Sequence, residues 1–426
     1  MTHKLEQVTE NTLIVGVDIA KRIHWAQFTN SRGIPLCKPL RVDNSSEGFS
    51  NLYNQIINFC NDNGFDKIMI GFEPSGHYWR TLAWYFKTMD NILLVGVNPY
   101  HVKQTKELDD NTQSKTDHKD ALVIARLIRD GRFFDIYLPE NEYADLRVLR
   151  RHREQIAEER KRIIIAIRTI LDEYFPEYEQ IGFAIDAIST RAILRTTPFP
   201  TDILQFNADE LWQRWKESPY PNIRISKKIA TTFIETAEQS IGVLSGISAA
   251  HFRLDAILTQ LDMLDAQINE CDEAMNDIIS TLDIEQYLVS VPGVGKVTAA
   301  SFIAETGDLN RFDDWKQLRK LAGLNLVEQS SGQHKGKTKI SKRGRPELRR
   351  IIYIIGDKGM LVSPEMMELY QYLRHRPNNQ LKHNQAVLAV GIKLMRIMFH
   401  VVKYKEYYNS AKSLGEERLQ QIKQIA

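Results

Sequence analysis

The chain has 426 residues, 43% hydrophobic and 26% charged, with a formal net charge of +2; at roughly 150 residues per domain it holds two to four units, and this balance excludes wholesale disorder. No run of about 18 apolar residues is present, which rules out a membrane-spanning helix, and residues 1–10 lack the apolar centre of a signal peptide. Three cysteines without paired spacing (Cys37, Cys60, Cys271) exclude a disulfide scaffold, make a zinc site a poor fit and suit a reducing cytoplasm.

The N-terminal third predicts alternating strands and helices. Residues 12–20 (TLIVGVDIA) form a short β-branched apolar run that fits a buried strand, and 22–30 and 36–42 are further strands around a Ser31-Arg32-Gly33 turn. Ser45-Ser46 predicts an N-cap, with Glu47 in the first turn, for a helix to about residue 63. A strand at 67–73, a helix at 78–89, a strand at 92–97 and a helix at 117–130 complete a βββαβαβα order, which is that of an RNase H-like α/β domain.

Four carboxylates fall at informative places in that order. Asp18 ends the first strand and Glu73 the fourth, while Asp117 and Asp120 lie three apart on one helix face. Acids converging from strand ends and a helix suit Mg²⁺, which prefers oxygen ligands. Two such ions about 4 Å apart clamp the attacking and leaving oxygens of a phosphoryl transfer. Taken singly, each acid reads equally as a cap or a solvated charge. The motifs around them are more specific. GVDIAK (16–21), EPSGHY (73–78), Asn98-Pro99 and KTDHKDA (115–121) resemble the RuvC-like DEDD domain of bacterial insertion-sequence transposases related to the Piv DNA invertases, a family that includes bridge-RNA-guided recombinases. The resemblance implies that Asp18, Glu73, Asp117 and Asp120 are the metal-binding acids. The chain departs from the family in having Pro-Ser-Gly after Glu73, which leaves the carboxylate in place.

The middle of the chain predicts a helical arm. One helix runs from Leu146 to about residue 174, with apolar residues in steps of three and four and Arg153 and Arg160 in two seam positions. A second repeats Leu254, Ile257, Leu261, Leu264, Ile268, Cys271, Met275, Ile278 and Leu282 in alternating steps of three and four, a pattern that predicts a coiled coil, with a packed bundle as the plainer alternative. Residues 147–168 hold eight Lys/Arg and three acids, whereas 254–282 hold seven acids and no Lys or Arg. The two helices can therefore pair as an antiparallel hairpin or across subunits. The Pro- and Trp-containing residues 196–222 read as an insertion without assignable chemistry.

The C-terminal third opens with VSVPGVGKVTAA (289–300), which reads as a helix-hairpin-helix. Its Gly293-Val294-Gly295 turn and Lys296 could meet a nucleic-acid phosphate; a plain tight turn between packed helices is the alternative. It is not a P-loop, since Val297 stands where Ser or Thr is required. Residues 335–350 then hold eight Lys/Arg and one acid, with glycines interleaved as suits a loop laid along phosphates. The pattern GLxxxxxSSG…ISKRGxxxLRR over 323–350 resembles the family's C-terminal transposase domain, in which a Ser before Gly joins covalently to DNA. Ser331, directly before Gly332, matches best, and Ser330 is the runner-up. On this reading Lys335, Lys337, Lys342, Arg343, Arg349 and Arg350 contact nucleic acid.

The expected organisation is an RNase H-like (RuvC-like) DEDD domain at 1–140, a helical coiled-coil arm at 141–285 and a mostly α-helical transposase domain at 286–426. The expected activity is Mg²⁺-dependent cleavage and rejoining of donor and target DNA through a serine–DNA intermediate. The resemblance further implies a bridge RNA and a bacterial setting on chromosomal DNA; the cutting of four strands and the heptad seam predict an even-numbered homo-oligomer (dimer or tetramer), and composition predicts a cytoplasmic location and no membrane. Two rivals are a RuvC-like nuclease that hydrolyses DNA with the acids alone and a non-catalytic nucleic-acid-binding derivative.

Overall fold

The structure is a computed structural model that describes residues 2–109, 117–221, 223–328, 330–331, 334–335 and 338–423. The chain divides into two compact units, Met1–Leu138 and Pro139–Ala426.

In the first unit a single turn, α1 (Thr2–Leu5), precedes β1 (Thr12–Asp18), β2 (Ile23–Thr29) and β3 (Leu40–Asp43). Then follow α2 (Ser46–Asn63), β4 (Lys67–Phe72), α3 (Trp79–Lys87), β5 (Ile92–Val97), α4 (Pro99–Asp109), α5 (Asp117–Arg129) and β6 (Phe133–Asp135). The six strands form one mixed sheet in the order β3-β2-β1-β4-β5-β6. β1, β4 and β5 are parallel, and β2, β3 and β6 each run antiparallel to their neighbours. β1 is buried on both faces through Val17, as a central parallel strand must be when helices cover both sides. One face packs Leu13, Val15, Ile70 and Phe72 against Leu52 and Ile56 of α2 and Leu82 and Phe86 of α3. The other packs Ile14, Met69, Val95 and Val97 against Ile124, Leu127 and Ile128 of α5.

The observed order departs from the expected one. The third strand begins at Leu40 rather than residue 36, because Pro35 and Pro39 lack the N–H a ladder needs; Pro35 makes only an isolated bridge to Thr29. The helix α4 and the short β6 were not expected. Asn98 caps α4, its Oδ1 accepting the Tyr100 N–H at 2.9 Å, and Pro99 supplies the pre-set first helical residue.

Among its described residues the second unit is helical apart from four two-residue strands and the connecting turns. Its longest elements are α6 (Asn141–Tyr174) and α11 (Ile247–Ser280), 34 residues each. Between them lie α7 (Ile188–Thr196), α8 (Pro200–Ile203), α9 (Ala208–Lys216) and α10 (Lys227–Glu238). The arginines in the seam of α6 explain themselves here: Arg153 pairs with Asp272 and Arg160 with Asp265. As the α6 number rises the α11 number falls, so the helices run antiparallel within one chain. Burial alone would raise the Asp265 pKa, but hydrogen bonds from Arg160 and Arg191 hold it below the usual carboxylate range. The α11 seam is filled intramolecularly, with Leu254, Leu261, Leu264, Cys271 and Met275 all buried.

Beyond α11 the chain forms α12 (Glu285–Val289), α13 (Lys296–Thr306) and α14 (Trp315–Leu321). The strands β7 (Leu326–Val327), β8 (Ser330–Ser331), β9 (His334–Lys335) and β10 (Lys339–Ile340) come next. The unit closes with α15 (Pro346–Val362), α16 (Pro364–His375), α17 (His383–Tyr404), α18 (Ser410–Ser413) and α19 (Glu416–Lys423). By length and composition α17 could cross a bilayer. Its Val387, Val390, Leu394, Met395 and Met398 are instead fully buried in the unit's largest core, shared with Ile352, Ile355 and Phe302.

Residues 196–221 of the expected insertion belong to the core at the far end of α6 and α11. Trp215 is fully buried there with Phe199, Leu211 and Phe233, and its indole N–H donates to Thr197 Oγ1 at 2.8 Å. Trp215→Ala removes that volume and orphans the Thr197 hydroxyl. A loss of about 3–5 kcal/mol is expected from the midpoint of urea unfolding; a loss under about 1 kcal/mol would show that these helices do not form a common core.

Candidate catalytic centre and nucleic-acid surface

Strand alternation sets the direction of the two strand-end acids. Ile14 and Met69 face α5, and steps of two carry that face through Gly16 to Asp18 on β1 and through Gly71 to Glu73 beyond β4. The parallel register pairs Gly16 with Gly71 and Val17 with Phe72, so Asp18 and Glu73 are the next positions on neighbouring strands. Gly16 fixes how closely α5 can lie. A Cβ there would stand 2.1 Å from the Ala121 carbonyl oxygen and 2.6 Å from the Ala125 nitrogen. Only glycine permits this approach, and Ala121 adjoins Asp120. Helix and strand ends thus bring Asp18, Glu73 and Asp120 to the carboxyl end of the central strands β1 and β4.

Each of these carboxylates is half-buried. Ser75 donates to Glu73 Oε1, and the Lys106 ammonium of α4 pairs with Asp120. Lys106 is a residue the sequence reading missed: it lies in the helix that was not expected, where nothing marks one lysine from the next. Asp117 is the first residue of α5; its side chain lies outside the described residues, as do Lys115 and Thr116. Among the described residues no three Asp, Glu, His or Cys side chains stand close enough to hold a metal ion. The donor chemistry nevertheless fits a hard divalent cation, since every candidate ligand is a carboxylate oxygen. Lys106 supplies positive charge at the same place.

The candidate serine lies in the second unit. β7 pairs antiparallel with β10, and between them β8 pairs antiparallel with β9, matching Ser330 with Lys335 and Ser331 with His334. Ser331 is therefore the last residue of its strand before the connection. Gly332 and Lys337 lie outside the described residues.

The other expected contacts divide into two groups. Gly293 has φ 80° and packs so closely on α15 that a Cβ would lie 2.4 Å from the Gly359 nitrogen, so its freedom serves the turn and helix packing. Gly295 is open, with nothing near its missing Cβ. Lys296 is occupied, 3.2 Å from both Glu285 Oε1 and Ser280 Oγ. Lys342 and Arg343 are exposed on the turn leading to α15. Arg349 donates to the Ala322 carbonyl at the end of α14 at 2.9 Å, and Arg350 lies 2.5 Å from Glu154 and 3.5 Å from Glu347. Arg349 and Arg350 thus hold helices together within the unit.

Residues 15–176 match a family model described as "Transposase", and residues 285–371 match one described as "Transposase IS116/IS110/IS902 family". The chain belongs to the IS110/IS116 transposase family. It is similar to the insertion element IS116 uncharacterized 44.8 kDa protein of Streptomyces clavuligerus, 28% identical over 70% of this chain and 74% of that one. It is also similar to the mini-circle putative transposase for IS117 of Streptomyces coelicolor, 25% identical over 76% of this chain and 78% of that one. A shorter similarity, 28% over 34% of this chain and 43% of the other, is to the pilin gene-inverting protein of Moraxella bovis. In this family member the first match contains Asp18, Glu73, Asp117 and Asp120, and the second contains Ser330 and Ser331. As a member of a transposase family the chain is a DNA recombinase or transposase.

The contacts of Arg349 generate a test. Arg349→Ala leaves the Ala322 carbonyl without its donor, an expected stability cost of about 1–3 kcal/mol by chemical unfolding, with the salt dependence of DNA binding unchanged. A shallower salt dependence at unchanged stability would instead make Arg349 a phosphate contact.

Proposed function

We propose that this transposase cleaves and rejoins DNA through a covalent serine–DNA intermediate. The observation that carries the reading is the presence, in one chain, of both transposase-family matches, one spanning the four acids and the other the serine pair. The first unit is read as an RNase H-like domain of the RuvC type. Its strand order, with β2 antiparallel to β1 and acids at the ends of the parallel β1 and β4, supports this. The antiparallel α6 and α11, with their ion pairs and filled seam, are read as a coiled-coil arm. Residues 286–426 are read as the module that presents the serine.

Asp18, Glu73, Asp117 and Asp120 would hold one or two Mg²⁺ ions, which when bound stabilise negative charge building on the scissile phosphate. The chain's own groups do the rest. The Ser331 Oγ attacks phosphorus and displaces a deoxyribose oxygen, which leaves as a hydroxyl carrying the proton that serine gives up. A serine–phosphate ester replaces the broken phosphodiester, so the bond's energy is retained. Attack by a hydroxyl of a second strand then forms the new phosphodiester and returns the serine. Lys335, Lys337, Lys342 and Arg343, with the open helix start at Gly295, would hold the phosphates flanking the serine. A bridge RNA would pair with donor and target DNA and carry most of the sequence specificity. Recombination of four strands calls for a dimer or tetramer, assembled on a surface other than the α11 seam. The setting would be the bacterial cytoplasm, on chromosomal DNA.

Hydrolysis by the acids alone is the second reading. It is favoured by the fact that all four lie in the first unit, whereas the serine lies in the second, and it leaves no protein–DNA adduct.

Asp18→Asn and Asp120→Asn should each abolish Mg²⁺-dependent strand cleavage. The Lys106 pair is partly exposed, so its loss should cost no more than about 1 kcal/mol of stability. Ser331→Ala should lose the covalent adduct on a denaturing gel, while Ser330→Ala keeps it. An adduct that persists in Ser331→Ala and vanishes in Ser330→Ala reverses the assignment. An adduct in both removes this loop from the chemistry, and cleavage by wild type without any adduct selects hydrolysis.

A further inference from the structure

One end of the C-terminal bundle carries a cavity whose charges the family reading does not use. It measures about 460 Å³ and lies between α16, α17 and α19, lined by Leu369 and Leu373, by Lys393 and Arg396, and by Arg418 and Gln421. Lys393 and Arg396 interrupt the otherwise apolar α17 one turn apart, so both project to the same side. The Arg396 guanidinium lies 5.5 Å from the centre of the Trp315 ring, and that of Arg418 4.8 Å from the Tyr372 ring. Stacking on aromatic faces orients a guanidinium plane while leaving its edge N–H groups free to donate. Tyr372 is itself tied to Gln421 through its hydroxyl at 3.3 Å. Among the described residues none of the three cations makes an ion pair. Among the described residues Glu416 is exposed on the rim, and Asp314 feels the Arg396 charge but pairs with Lys316.

Three convergent cations with only the exposed Glu416 at the rim among the described acids form an incomplete arrangement. Burial lowers the Lys393 pKa, and repulsion from Arg396 and Arg418 lowers it further, so the ammonium stands in an unbalanced positive field. A bound anion would relieve that field. Two oriented guanidinium edges around an ammonium suit the tetrahedral oxygens of a phosphate better than a lone carboxylate. We propose that Lys393, Arg396 and Arg418 form a second phosphate-binding site, taking a backbone phosphodiester of a nucleic-acid strand at a place apart in sequence from the serine loop. The proposal rests on the nucleic-acid reading above and adds an anchoring point to it. The site holds backbone and reads no bases, so it is indifferent to sequence.

The test is fluorescence anisotropy of the full chain with labelled single-stranded RNA and with labelled duplex DNA, each titrated over a range of salt. Lys393→Met fills the same space without charge, and relief of like-charge repulsion should leave its unfolding midpoint unchanged or raised. It should weaken binding and flatten the slope of log affinity against log salt by about 1. Lys393→Met/Arg418→Gln should flatten it further, while Lys393→Arg should restore it. A change with RNA alone assigns the strand as RNA, and a change with DNA alone as DNA; both support the site. Wild-type slopes in both charge-removing variants overturn it. So does competition by polyglutamate that is lost in Lys393→Met while the nucleic-acid slopes stay wild type, which would assign the cavity to an acidic protein segment. Failure of the wild-type chain to bind either nucleic acid would overturn the functional reading itself, a different result from binding with unchanged slopes.

Discussion

The candidate catalytic centre depends on one close contact, the passage of α5 across β1 at Gly16. The carbonyl of Ala121 occupies the space a side chain would take. That contact sets both the depth and the register of α5 on the sheet. Asp120 is held beside the ends of β1 and β4 because Ala121 cannot move away from Gly16 without opening the packing of Ile124, Leu127 and Ile128. The parallel register then supplies Asp18 and Glu73 as neighbours. A site built in this way is precise because it stands on the stiffest part of the unit, a central strand buried on both faces.

Charge complementarity plays the corresponding part in the second unit. The long α6 is too basic to bury a continuous apolar seam, and α11 carries the acids that match it. Arg153, Arg160, Arg191 and Arg195 reach Asp272, Asp265, Asp262 and Asp255. Leu258, Leu261 and Met275 fill the space beside these pairs. Partly exposed pairs add little stability singly, but misregistered helices would leave arginines unpaired. The pairs therefore specify register more than they stabilise. They also use up the surface that sequence periodicity offered for self-association.

Most of the sheet was legible in the sequence because its strands are short β-branched runs between turn residues, and the helix cap at Ser45 is local chemistry. The third strand was misjudged because Pro35 and Pro39 act through the ladder, which only the paired structure reveals. The helix after Asn98-Pro99 was missed although its start signal was present, since the polar stretch that follows lacks an apolar period. The heptads of α11 predict a coiled coil; Leu254, Leu261, Leu264, Cys271 and Met275 are buried, and that α6 of the same chain supplies the charged partners is a tertiary fact. The basic strip before and within α15 shows the same limit. Composition marks Arg349 and Arg350 as cations, and only packing shows that one caps a helix and the other joins Glu154 and Glu347. Conversely, Lys393, Arg396 and Arg418 are scattered in sequence and gather only in the fold. Trp215 stood in a segment without assignable chemistry, and its role proves to be volume.

The proposed divalent-metal site lies at the carboxyl end of β1 and β4, with Asp18, Glu73 and Asp120. Its most direct test is electron paramagnetic resonance of Mn²⁺ titrated into the full-length protein, comparing the wild type with Asp18→Asn and with a Lys106→Met control that keeps every carboxylate. Wild type and Lys106→Met should each sequester Mn²⁺ that Mg²⁺ displaces, and Asp18→Asn should leave the ion free in solution. Equal Mn²⁺ binding by wild type and Asp18→Asn would contradict the assignment.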